Sequence, residues 1–164
     1  MEKLEFRQAT LADVALLAKL EERCFPPAEG ASLDRINERV KEYADRFLVM
    51  LLDGNIVGMV NGMCTDITDL TDEMYENASM HKDDGSWQMI FSVCVDPSLQ
   101  GQGLGLVIVK KYIEEIKKHP HCKGIVLTCK EHLLHFYGKN GFVDEGVSAS
   151  EHGGVVWHQM RLTF

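Results

Sequence analysis

Phe91-Ser92-Val93-Cys94-Val95-Asp96-Pro97-Ser98-Leu99-Gln100-Gly101-Gln102-Gly103-Leu104-Gly105 reads as a buried strand, a tight turn and a group of glycines opening a helix. Asp96-Pro97 closes the strand, because proline fixes φ and brings no N–H to a ladder. Glycines let the backbone approach a ligand without Cβ interference, and the first N–H groups of a helix have no partner inside it. With the positive end of the helix behind them, those donors suit an anion, phosphate above all. A nucleotide-binding Walker loop would need Gly-Lys-Ser/Thr, whereas this chain continues Leu106-Val107. The dinucleotide spacing G-x-G-x-x-G fails as well, since Leu106 stands where its last glycine belongs. What remains is Q-x-x-G-x-G, from Gln100 to Gly105. A glycine-rich helix start without a ligand is the bland alternative, and the strand–turn–helix context favours the cradle.

Working outward, residues 104–117 repeat apolar side chains at helical spacing, with Leu104, Val107, Ile108 and Tyr112 on one face and His119-Pro120 as the stop. Residues 124–129 form a short apolar strand, 131–139 a helix, and 142–147 and 155–162 the last two strands. Upstream, 87–95 is nearly continuous in apolar and β-prone residues, as a central strand is. Residues 65–85 hold seven acidic groups and read as a solvated excursion with one short helix near 72–79. Strands at 47–52 and 56–64 flank the turn signal Asp53-Gly54-Asn55. Ser32 caps a helix carrying Ile36, Val40 and Tyr43. Thr10 with Asp13 caps an earlier one, whose buried face is Val14, Leu17 and Ala18 with Leu16 and Leu20 beside them, and Pro26-Pro27 ends it. The order is that of an α/β (α+β) chain with a mixed sheet flanked by helices.

Length and composition narrow the function. The chain has 164 residues without repeat or linker, so residues 1–164 read as one domain. A net charge of −8 with no Lys/Arg cluster argues against nucleic acid, whose phosphates need clustered cations. No apolar run reaches the roughly 20 residues that span a bilayer, so no membrane partner is expected. The start, Met1 to Glu5, has no signal-peptide pattern, and five cysteines without CxxC spacing read as reduced thiols; both point to a cytoplasmic protein.

The segment Gln100 to Gly105 resembles the CoA-pyrophosphate signature of the GNAT acetyltransferase superfamily, and the resemblance extends over nearly the whole chain. Glu22 to Ser32, with Cys24-Phe25-Pro26-Pro27, is similar to the substrate-side loop of arylalkylamine N-acetyltransferases; Ser92 to Pro97 resembles their fourth strand. Leu127 to Tyr137, followed by Gly141-Phe142, resembles their CoA-side helix. The resemblance implies a GNAT fold: a central, mixed, mostly antiparallel sheet splayed between its fourth and fifth strands, with helices on both faces. It implies acetyl-CoA as co-substrate and a small-molecule amine as acceptor, attacked directly without a covalent enzyme intermediate. Homodimers are common among such domains.

Residue by residue, the resemblance places CoA against Val93, Cys94, Val95, Gln100, Gly101, Gln102, Gly103, Leu104, Gly105, Leu106, Leu133 and Phe136. The Val93 amide would face the thioester oxygen, where charge develops. Tyr137 matches the general acid that protonates the departing thiolate; a helix tyrosine packed beside Leu133 is its bland reading. Cys24, Phe25, Pro26 and Phe91 would line the acceptor site, with Trp87 as a further aromatic candidate. The histidines that serve as base in the arylalkylamine enzymes align with Met89 and Phe91, which accept no proton, leaving Gln88, Ser92 or a carboxylate of the excursion as substitutes through water. The acceptor reading therefore stands beside polyamine, amino sugar and protein N-terminus, and beside a non-catalytic CoA-binding module. His119-Pro120-His121-Cys122 reads as a solvated turn, not a metal site.

Overall fold

The computed structural model describes residues 3–164. An N-terminal strand β1 (Leu4–Gln8) leads through a short 3-10 turn to helices α1 (Val14–Cys24) and α2 (Leu33–Tyr43), then to the hairpin β2 (Phe47–Leu52) and β3 (Asn55–Asn61). After β4 (Cys64–Thr65) and α3 (Asp72–Glu76) come β5 (Trp87–Ile90) and β6 (Ser92–Val95). The chain finishes with α4 (Leu104–Lys117), β7 (Gly124–Cys129), α5 (Leu134–Gly138), β8 (Val143–Val147) and β9 (His158–Thr163). No helix among the described residues is long and apolar enough to cross a membrane.

Local signals set most boundaries. Thr10 and Asp13 form a capping box, and the Ser32 hydroxyl accepts from the Arg35 amide at the start of α2. Asp53 and Gly54 both adopt positive φ, 51° and 85°, which gives the hairpin the twist-matched turn its sequence signals. Two expected faces shift: Leu16 and Val107 turn to solvent, while Leu20 is buried on α1 as expected and Val109 and Ile116 on α4 go inward. Strand β1 was not among the sequence expectations. It alternates partly buried Leu4 and Phe6 with exposed Glu5 and Arg7, and pairs along its length with β2.

The main departure is that two expected strands each break. Residues 87–95 divide at Phe91 and 56–64 divide at Gly62-Met63, so among the described residues nine strands fall into two sheets, β1-β2-β3-β6 and β4-β5-β7-β9-β8. The breaks lie against each other. The Phe91 amide donates to Asn61 O at 2.8 Å and the Met89 amide to Met63 O at 2.7 Å. A Cβ on Gly62 would sit 1.8 Å from Met89 O, so only glycine lets the two strands cross this closely. The first sheet is antiparallel throughout; the second is mixed, with β5 parallel to β7.

Helices cover both faces. α1 and α2 bury Val14, Leu17, Leu20, Ile36 and Val40 on Phe47, Val49, Met59 and Cys94. α4 buries Ile108, Val109, Tyr112 and Ile116 on the opposite face, against Leu48, Met50, Val57 and Val60, each side chain contributing roughly 1.5–3 kcal/mol of apolar burial. Gly58 permits that approach, since a Cβ there would lie 2.9 Å from Cys94 O and 3.2 Å from Ile108 Cδ1. The acidic excursion is only partly a solvated face: Leu70, Met74 and Ala78 are buried with Tyr43, Met63, Met89 and Val126.

Candidate active site

The two sheets part where β6 leaves β5. β5 runs alongside Gly124 to Leu127 of β7, and beyond Phe91 the strand β6 pairs only with β3. The Asp96 amide donates to Val57 O, so Asp96 points at β3. Because successive backbone groups along a strand point to opposite sides, those of Val93 and Val95 face away from β3, toward the gap. Cys94 has the opposite sense: its backbone faces β3, and its thiol lies toward α1 beside Glu21 at 3.5 Å. Burial pushes that thiol well above its ordinary pKa.

At one end of the gap stands the glycine turn. Gly101 and Gly103 hold φ of 83° and 77°, left-handed values that favour glycine, and a Cβ on either would meet nothing within 4 Å. The Val107 amide is the first to find a helical acceptor, Gly103 O at 3.3 Å. Among the described residues, the amides of 101–106 donate to no acceptor. Six successive free donors with open space before them fit a phosphate-bearing group. Gly105 differs from its neighbours: a Cβ there would touch the Phe136 ring at 3.6 Å, so α5 packs against the start of α4 at this point.

Deeper in the gap is a narrow cavity of about 80 Å³. Val93 lines it from β6, Leu127, Thr128 and Cys129 from β7, and Leu133 and Tyr137 from the α5 region. Tyr137 is buried, with its ring edge-on to Phe136 and Phe142, and burial raises its phenol pKa, so the hydroxyl keeps its proton across the neutral range. Among the described residues that hydroxyl enters no hydrogen bond.

The far side of the cavity is aromatic. Phe25, Tyr75, Phe91, His152 and Trp157 line it. Tyr75 stacks on His152 with ring centroids 4.6 Å apart and donates or accepts across to Thr128 Oγ1 at 3.1 Å; desolvation pushes its phenol up to about 12. The His152 Nε2–H donates to Glu29 O at 2.8 Å, which leaves Nδ1 as an acceptor on the neutral ring. Glu29 also meets Lys130, with Nζ 2.7 Å from Oε1. A second cavity of about 210 Å³ shares Glu29, Tyr75, Phe91 and His152 and is completed by Glu21, Arg35, Arg39 and Ser92 among others.

The structure thus brings Val93, Leu133, Tyr137, Phe25 and Phe91 together at the gap, with the glycine turn at its end. Others lie elsewhere. Cys24 lines none of the described cavities and donates its thiol to Val95 O at 3.4 Å. Pro26 borders a separate surface hollow with Glu22 and Pro27. Trp87 lies under Arg161, whose guanidinium is 4.5 Å from its ring centre. The proposed substitutes for the base are also engaged: Gln88 is buried and bonded to Arg46, Tyr112 and two carbonyls, and Ser92 bonds Glu21. In the excursion, Asp66 pairs with Lys82, Asp69 with Arg161, and Asp72 accepts from Ser150 and the Glu151 amide. Sequence reasoning missed Arg39, Tyr75, His152 and Trp157, which sit in no motif, and assigned no role to Glu29 within the Glu22 to Ser32 stretch; these residues meet only through the packing of distant elements.

Comparison with known proteins agrees with this geometry. The serotonin N-acetyltransferase of Mesocricetus auratus is 25% identical over 162 residues, covering 97% of this chain and 77% of its own. Among solved structures, the loading GNATL domain of CurA from Lyngbya majuscula superposes with a TM-score of 0.85 at 16% identity, over 98% of each chain. The GNAT-like decarboxylase GphF, in complex with isobutyryl-CoA, does so with a TM-score of 0.85 at 18% identity, over 97% of this chain and 98% of that one. At these identities the structures speak for the fold alone, which is the splayed, helix-flanked sheet expected. Residues 14–142 match the model of the acetyltransferase (GNAT) family, and the chain therefore belongs to that family of acetyl-CoA-dependent N-acetyltransferases.

Proposed function

We propose that the protein acetylates the primary amine of a small molecule bearing an aromatic group, with acetyl-CoA as donor. The observation that carries this reading is the cavity at the sheet split, where the buried Tyr137 hydroxyl meets an aromatic wall of Phe25, Tyr75, Phe91 and Trp157. The weak similarity to serotonin N-acetyltransferase points the same way.

Acetyl-CoA supplies a thioester whose acyl carbon the free amine attacks, giving the amide and the CoA thiol. The free amides of 101–106 would hold the pyrophosphate, and the outward backbone of Val93 and Val95 would align the pantetheine as an added strand. The Val93 amide would donate to the thioester oxygen as it gains charge. Tyr137 would give its proton to the leaving sulfur. Burial penalises the phenolate and the departing thiolate alike, so desolvation by itself does not set the transfer uphill. His152 would take the proton of the amine at Nδ1, since its Nε2–H is already committed to Glu29 O.

Thiol release from acetyl-CoA tests the reading, with phenethylamine, tryptamine, spermidine, glucosamine and a peptide as acceptors. Faster turnover of the aromatic acceptors is expected, reduced about 100-fold or more in His152→Ala. Turnover confined to spermidine or the peptide would discard the aromatic acceptor and keep the donor.

A further inference from the structure

Arg39 is the feature this reading leaves unused. It projects from α2 into the second cavity and is only 2% exposed. Its Nη1 donates to Asn61 Oδ1 at 3.0 Å and its Nη2 to Tyr75 O at 3.4 Å, while Phe91 lies against the guanidinium with the ring centre at 5.0 Å. A guanidinium carries five N–H donors, and here Nε has no partner among the described residues. The adjoining amide of Asn61 is orphaned too, at Nδ2. Among the described residues no carboxylate comes within 4 Å of Arg39. A buried cation with neither a counter-charge nor a full set of acceptors is costly unless something else supplies them.

The carboxylates lining the same cavity are engaged elsewhere or turned outward. Glu21 accepts from the Ala31 amide at 2.7 Å and from Ser92 Oγ at 3.2 Å, and Glu29 meets Lys130. Glu76 is exposed, and it is its backbone carbonyl that meets Arg35. Arg35 lines the cavity one helical turn before Arg39, with its Nη1 held by Glu38 Oε2 at 3.0 Å and its other donors, among the described residues, free to turn inward. The wall thus leaves Arg39 Nε and Asn61 Nδ2 as buried donors without acceptors, which a plain alkylamine would not satisfy.

We propose that the acceptor carries an anionic group, carboxylate or phosphate, a few bonds from its amine, and that Arg39, supported by Arg35, binds it. This rests on the acyl-acceptor reading of the adjoining cavity and narrows it: the substrate is an amino acid or amino phosphate, not a simple amine. The anion completes the hydrogen bonding of the guanidinium, offsets its charge and turns the amine toward the Tyr137 and His152 side of the shared wall. Arg39 is a specificity residue on this account, not a catalytic one.

The test compares matched acceptors that differ only in the anion, by thiol release from acetyl-CoA: tryptophan against tryptamine, and glucosamine 6-phosphate against glucosamine. In the wild type the anionic member of at least one pair should have kcat/KM higher by about tenfold or more, the size of one charge-assisted hydrogen bond. The pair that responds tells carboxylate from phosphate. Arg39→Met should bring that ratio close to one, and Arg39→Lys should restore part of it. The ratio is internal to each variant, so partial loss of folded protein cancels. Should Arg39→Met not fold, Arg35→Gln must lower the same ratio. A wild type that prefers tryptamine and glucosamine, or a ratio unmoved in the variants, overturns the proposal. Preference for tryptamine leaves the aromatic-acceptor reading standing; preference for glucosamine 6-phosphate, with no tryptophan turnover, removes that reading and keeps this one. No thiol release from any acceptor removes both.

Discussion

The two ends of the sheet split are built in opposite ways. The end proposed for the donor is one contiguous stretch, 92–106, in which strand, turn and helix start follow each other, and the groups it offers are mostly backbone. The end proposed for the acceptor is assembled from side chains of α1, the loop after it, α2, α3, the Phe91 break and the loop before β9. Backbone geometry follows from local sequence, because glycine and proline restrict or free φ and ψ where they stand. A composite wall depends on how distant elements pack, which no short stretch encodes. The donor end suits a fixed ligand common to a family, and the acceptor end is free to differ.

The sharpest way to break this contrast is Tyr137, which belongs to both ends. Tyr137→Phe should lower kcat by roughly 10²–10⁴-fold, the usual scale of general acid catalysis, while acetyl-CoA affinity measured by calorimetry stays unchanged. Equal turnover in the variant would remove the phenol from the chemistry and leave it as packing against Phe142.

Gly103→Val addresses the donor end alone. A β-branched residue at φ of 77° costs about 1–2 kcal/mol, and its side chain would stand in the open space before the free amides. Acetyl-CoA affinity should fall at least about tenfold, one charge-assisted hydrogen bond or more, with the circular dichroism spectrum retained. Full affinity would show that the glycine turn is not a cradle.

The hinge between the ends is Gly62. Gly62→Ala places a Cβ on Met89 O, and overpacking of roughly 1–3 kcal/mol should appear as a lower urea midpoint. Unchanged stability would mean the strand crossing can relax, and the split would not depend on this residue.

The smallest effect lies at the start of α1. A bidentate Arg7 holds the Asp13 carboxyl down to about 2 from an ordinary 3.8, with the Thr10 amide and hydroxyl assisting against a burial penalty. The folded pKa lies below the unfolded one, so this contribution is present above about pH 4 and is lost as pH falls through 2. Asp13→Asn should cost about 1 kcal/mol at neutral pH, the size of a lost cap, and should flatten the acid limb of the stability curve. An acid limb identical to the wild type would assign that stability elsewhere.

Much of the fold was legible because its signals are local. The bounds of α4 and β7, the caps at Thr10 and Ser32, the hairpin turn at Asp53-Gly54 and the phosphate-type turn at 100–105 all follow from residue types at fixed spacing. The expected splay between fourth and fifth strands is present as the parting of β6 from β7, yet its cause was not visible in 87–95, which reads as one strand. The break at Phe91 and its companion at Gly62 exist because two segments nearly thirty residues apart cross at contact distance. The same holds for Glu29 beside Lys130, His152 on Tyr75 and Arg39 against Phe91. Sequence by itself determined most secondary elements and the glycine turn, since these rest on backbone freedom and periodicity, and its motifs carried the resemblance to the family. Only the tertiary structure decided which side chains line the cavities at the split, because that wall is made where remote loops meet and burial leaves a charge without its partner.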